Sequence, residues 1–222
     1  MEQGRRTVVM NPSQRRRNQV LGTERGQTLV EFALILPLFM VLLMGIIEFA
    51  FMFNATLSIN FTSRDASLIA AEAGIQSTAD CAVLAKVEQD VAAPLNDSNI
   101  QSVTIYKADR FGTAYTGSNA ASNVYTRGAG TTTCAGFTPS PMPYKLGTNT
   151  YPMGEASATI SGRCDIVAGC STTTPIDSIG VKIVYRYYFK TPLPNLVSFL
   201  PGASVGYIDL SWSNVMRMEP TL

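Results

Sequence analysis

The chain has 222 residues, 46% of them apolar, with 17 Lys and Arg against 16 Asp and Glu and no histidine. A net charge of +1 gives no electrostatic ground for a nucleic-acid partner, and the missing histidine removes the commonest general base and metal ligand. The length admits one ordinary domain plus additional segments.

The charge is unevenly placed. Arg5, Arg6, Arg15, Arg16, Arg17 and Arg25 precede residue 26 against Glu2 and Glu24, and no basic residue follows until Arg64. Residues 1–24 are polar, contain Asn11-Pro12 and lack periodicity, so they read as an irregular leader. From about Thr28 to Ala73 the pattern predicts one long helix. Its stretch Phe32 to Phe53 is apolar except at Glu48, and as a helix it spans about 33 Å, enough for a hydrocarbon core of roughly 30 Å. A secretory signal has a shorter apolar core and a small-residue cleavage site, neither of which stands here. The arginine bias sets the N-terminus in the cytoplasm and everything after about residue 55 outside. Pro37 lies within the helix and is a candidate kink. Beyond the span, Leu57, Phe61, Leu68 and Ala71 are expected to form its apolar face, with Gly74 as the stop.

A second helix is expected from Thr78 or Asp80 to just before Pro94, with Val83, Leu84, Val87 and Val91 as its stripe. The character then turns to β. "NIQSVTIYKA" alternates as a strand, and residues 109–152, rich in Gly, Ser, Thr, Asn and Pro, read as a long irregular loop. "EASATISGRC", "SIGVKIVYRYYFK" and "SVGYIDLSWSNVMRME" follow as strands, with the hydrophobic "TPLPNLVSFLPG" as a loop or short helix. Tyr185, Tyr187 and Phe189 are expected on one half-buried face, which accounts for "YRYYF" without nucleic acid.

Cys81, Cys134, Cys164 and Cys170 all fall on the outer side. Four cysteines allow three pairings. Cys164 and Cys170 enclose only "DIVAG" and are the favoured pair, which leaves Cys81 with Cys134. A metal site is the rival reading, but no C-x-x-C and no histidine support it. The fold class is α+β: a long N-terminal transmembrane helix, a second short helix and a small antiparallel sheet. The expected divisions are 1–26 as a basic cytoplasmic leader, 27–74 as the long helix with its span at about 32–53, and 75–222 as an extracytoplasmic domain.

No nucleophile motif or phosphate-binding glycine loop occurs, so the expectation is a non-catalytic protein without metal, cofactor or small-molecule substrate. The one sharp motif is "RGQTLVEF". Gly26 stands before the apolar run and Glu31 sits inside it, where a carboxylate costs roughly 2–4 kcal/mol. Cleavage after Gly26 would make Gln27 the new N-terminus, and its amino group could neutralise Glu31 within one chain or between neighbours. The plainer reading places Glu31 at the headgroup boundary, or at a helix N-terminus that favours it weakly.

At these residues the chain resembles the TadE-like family, the minor pilins or pseudopilins of tight-adherence (Flp-type) pili. Arg25, Gly26, Val30, Glu31, Phe32, Ala33, Leu34 and Pro37 carry the resemblance, followed by Glu48, Phe49, Arg64 and Ala66. It implies cleavage between Gly26 and Gln27 by a prepilin peptidase. It also implies that Glu31 and Phe32 act in assembly with other pilin-like subunits at a bacterial inner-membrane platform driven by a secretion ATPase. Two features depart from the pattern: Gln27 stands where type IV pilins often have Phe, and the outer domain is larger than a major pilin carries. The alternative is a single-pass envelope protein of another class, with a sensor or ligand-binding domain outside.

Overall fold

The computed structural model describes residues 12–91, 95–109, 111–117, 120–153, 163–164, 177–192 and 206–218, with side chains from Gly26 onward. The chain divides into two units, Met1–Glu48 and Phe49–Leu222. In the first, helix α1 (Pro12–Ala73) begins inside the stretch expected to be irregular and runs through Pro37 without a break. Arg and Gln are good helix formers, and after Pro12 the leader holds only Gly22 and Gly26 to oppose them. From Gly26 the helix is long and apolar enough to cross a membrane. Leu29, Phe32, Leu34 and Leu38 are all more than half exposed in the isolated chain.

The second unit contains the end of α1, α2 (Ala79–Asp90) and five strands: β1 (Ile100–Ala108), β2 (Ser122–Thr132), β3 (Met142–Asn149), β4 (Ser178–Tyr188) and β5 (Tyr207–Arg217). They form one antiparallel sheet in the order β3-β2-β1-β4-β5. The α+β class follows directly.

The end of α1 packs by a face opposite to the one expected. Ala55, Ile59, Thr62, Ser63, Ala66, Ser67 and Ala70 are buried, whereas Leu57, Phe61 and Leu68 stay exposed; of the expected residues only Ala71 is covered. The buried positions recur at helical spacing and are mostly small, which lets backbone approach backbone. Ser63 Oγ donates to the Val181 carbonyl at 2.9 Å, and Asn214 Nδ2 donates to Asn60 Oδ1 at 3.1 Å and Ser63 Oγ at 3.2 Å. Hydrophobicity alone pointed to the wrong side because the close contact selects size and hydrogen bonding.

Helix α2 buries Val83, Leu84 and Val87 of its expected stripe, and Val91, just past its end, is buried as well, each worth about 1.5–3 kcal/mol of apolar burial. It ends at Asp90, earlier than the sequence suggested. In β1 the alternation is broken by a register shift between Ile100 and Ser102. The shift places Ile100 in the core with Val103 and Ile105, because an extra residue in one strand reverses the side-chain phase. β4 buries Ile179, Val181, Ile183, Tyr185 and Tyr187 at alternate positions, with Gly180 buried between the first two.

The expectation of a long loop over 109–152 is overturned, since β2 and β3 lie within it. Only inward positions need bulk, and Tyr125, Tyr144 and Met142 supply it. The buried polar Asn123 and the glycines of β2 hide the alternation that marks a strand. The expected strand over 155–164 and the hydrophobic segment 191–202 fall largely outside the described residues.

Candidate assembly segment

Gly26, Gln27, Glu31, Phe32 and Pro37 all lie on α1. Gln27 and Glu31 are one helical turn apart, and the Gln27 amide donates to Glu31 Oε1 at 3.1 Å. Both are exposed, as is Phe32. Gly26 is exposed too, a Cβ added there meets nothing within 4 Å, and its φ is not positive. Packing and backbone geometry therefore place no demand for glycine at 26, where it weakens the helix by about 1 kcal/mol relative to alanine. Glu48 is buried and has a polar partner.

In the second unit a disulfide joins Cys81 on α2 to Cys134 after β2. Closing a loop of 53 residues is worth about 4 kcal/mol in the chain-entropy account. Cys164 is also disulfide-bonded; Cys170, its expected partner, lies outside the described residues. Among the described residues no three His, Cys, Asp or Glu side chains gather as a metal site.

Two ion-pair clusters that the sequence did not reveal tie α2 to the sheet. Asp80, fully buried, pairs with Arg163 and accepts from Asn123 Nδ2 at 2.7 Å and Tyr125 Oη at 2.8 Å. Near the other end of α2, Glu88 pairs with Arg127 and accepts from Tyr144 Oη at 2.5 Å, while Arg127 also reaches Asp97 at 3.1 Å. A third pair, Lys107 and Asp177 at 2.9 Å, sits beside the Cys164 amide, which donates to Asp177 at 3.0 Å. Burial pushes the Asp177 carboxyl above the usual carboxylate range, opposed by Lys107. These partners are separated by tens of residues, and no local motif announces them.

Burial, reinforced by the neighbouring carboxylates, pushes the Tyr125, Tyr144 and Tyr151 phenols far above their ordinary range. A folded-state pKa above the unfolded one means that their contribution to stability is whole below about pH 10 and lost as pH rises further. Each such phenol steepens the loss by about 1.4 kcal/mol per pH unit until it ionises. In an alkaline absorbance titration, three of the nine tyrosines are expected to ionise only with cooperative unfolding. Gradual ionisation of all nine in the folded protein would contradict these burials.

Residues 26–68 match the family model described as TadE-like protein. The chain carries a TadE-like segment. No curated protein and no solved structure gave a match. The TadE-like segment starts at Gly26, contains every candidate assembly residue, and extends through Ser63 and Ala66, where α1 packs on the sheet. It thus takes in residues of both units.

Proposed function

We propose that the protein is a minor pilin-like subunit of a tight-adherence pilus, non-catalytic and assembled through α1 after a prepilin peptidase cuts between Gly26 and Gln27. The observation that carries this reading is the TadE-like match beginning at Gly26, on a helix long and apolar enough to cross a membrane. The glycine itself adds support, because neither packing nor backbone conformation requires it. A weak helix position is one where a peptidase unwinds its substrate at least cost. The exposed Leu57, Phe61 and Leu68 extend an apolar ridge beyond the span, as a helix that meets neighbouring helices requires. In this account the leader faces the cytoplasm, the sheet unit stands outside the inner membrane, and the partners are the peptidase, other pilin-like subunits and the assembly platform.

Glu31 is the residue that separates anchoring from assembly. Its only described side-chain partner is the neutral Gln27 amide, so its charge is left for the new amino group of a neighbouring or the same mature chain. Glu31→Ala is expected to leave membrane insertion intact and to reduce incorporation at least tenfold, as a lost interaction of about 1.4 kcal/mol requires. Sheared surface fractions and membrane fractions, quantified side by side, check this. Equal incorporation of the variant would remove Glu31 from the mechanism.

A further inference from the structure

The two edges of the sheet are built differently. β3, at one end, is short, carries Pro143, Lys145 and Gly147, and pairs with β2 through two register irregularities. Proline, lysine and bulges are the devices by which edge strands avoid pairing with other chains. β5, at the other end, has 11 residues without Pro, Gly or Lys, and pairs residue for residue with β4 from Tyr207 to Arg217 without irregularity. Its one acidic charge, Asp209, is bound within the sheet by Arg186 at 2.8 and 3.0 Å.

β5 is also uncovered. Residues 207–209 and 211–213 are exposed in succession, so both faces and the rim are open, in contrast to the alternation in β4. Positions directly opposite in an antiparallel pair share a face. Trp212 opposite Ile183, and Ile208 opposite Tyr187, therefore stand on the helix side, yet remain 40% and 38% exposed. Among the described residues, the backbone of β5 from Tyr207 to Met216 pairs with β4 alone. A row of N–H and C=O groups without a partner among the described residues, flanked by the exposed Ile208 and Trp212 on one face and by Ser211 and Ser213 on the other, has a defined complement. That complement is an extended backbone with apolar residues alternating with small polar ones.

The topology argues against a second copy of this chain as the occupant. Every neighbouring pair in the sheet is antiparallel, so β1, β3 and β5 run one way and β2 and β4 the other. Asp80 on α2 binds Asn123 and Glu88 binds Arg127, so α2 follows the direction of β2. The end of α1 returns beside α2, with Asp65 opposite Lys86 at 3.9 Å, and so runs with β5. Copies standing side by side in one orientation offer each other only parallel edges, β5 to β5 or β5 to β3. Parallel pairing is the weaker kind and is found in sheets covered on both faces.

We propose that β5 is a strand-accepting edge that takes an extended segment of a different polypeptide, antiparallel, as a sixth strand. The exclusion of a second copy rests on the anchored-subunit reading; the capacity of the edge does not. Trp212 is the only tryptophan in the chain and reports directly on this site. The experiment titrates the full chain in detergent micelles with a peptide copying β4, residues 178–188 (SIGVKIVYRYY), which lacks tryptophan and already complements β5 on its other side. The expected result is a saturable blue shift of Trp212 emission with loss of acrylamide quenching. Affinity should fall about tenfold in Ser211→Lys/Ser213→Lys, whose substitutions lie on the exposed face away from the core. No saturable change in the unsubstituted chain, an equal response to a scrambled peptide, or undiminished affinity in the lysine variant would overturn the proposal. So would sedimentation showing a dimer of the chain alone that the lysine substitutions abolish, since the edge would then belong to a second copy. The measurement needs no pilus, so its failure leaves the processing of Gly26 untouched.

Discussion

Asp80→Ala is expected to lower the stability of the second unit by about 3–5 kcal/mol, the usual cost of stranding a buried charge. Arg163 is fully buried with Asp80, and among the described residues its Nε and Nη1 find no acceptor. Asp80 therefore carries most of the compensation for the guanidinium, helped by the Tyr151 carbonyl, which accepts from Arg163 at 3.4 Å, and by the Tyr151 ring at 4.7 Å. The same substitution also strips Asn123 and Tyr125 of their shared acceptor. The loss is comparable with the whole stability of many domains. Replacing both partners with apolar residues, as in Asp80→Leu/Arg163→Met, is expected to recover much of it, because the isolated charge rather than the lost attraction dominates. Denaturant melts of the unsubstituted chain, Asp80→Ala and the double variant check the claim. A cost below about 1 kcal/mol for Asp80→Ala, in the range of a solvated surface pair, would show that Arg163 is not held by this carboxylate.

The largest functional effect is expected at Gly26. Gly26→Leu adds a side chain where nothing lies within 4 Å and replaces a weak helix former by a strong one. The fold should therefore be unchanged or slightly stabilised. Cleavage should nevertheless be lost, since a bulky residue stands before the scissile bond and the helix resists unwinding there. The chain would accumulate at full length in the membrane and be missing from sheared pili. This opposition, a neutral or stabilising change that abolishes assembly, separates a processing role from a structural one. If Gly26→Leu assembled as well as the unsubstituted chain, glycine would be incidental.

The elements legible in the sequence were those whose signal is local. The apolar run from Phe32 to Phe53, the valine stripe of α2 and the alternation of β4 each depend on neighbours a few residues away. What escaped was fixed by distant partners. Asn123 and Tyr125 belong to a strand because Asp80, more than forty residues earlier, supplies their acceptor. The buried face of α1 was misread because Ser63 and Asn60 answer to Val181 and Asn214, whereas Leu57 and Phe61 remain exposed against hydropathy. Exposed leucine and phenylalanine on a helix outside a span look like core residues in a sequence; in the structure they lie on the open face of α1. In the assembly segment, the residue types and their spacing were readable from "RGQTLVEF". The dispensability of glycine at 26 needed coordinates.

The central claim is that this chain is processed into a subunit, and the N-terminus of the assembled protein tests it most directly. Mass spectrometry of material recovered from sheared pili, and of the membrane-bound pool, is expected to find a mature chain beginning at Gln27, with residues 1–26 absent. Assembled protein that retains Met1 to Gly26 would contradict the account.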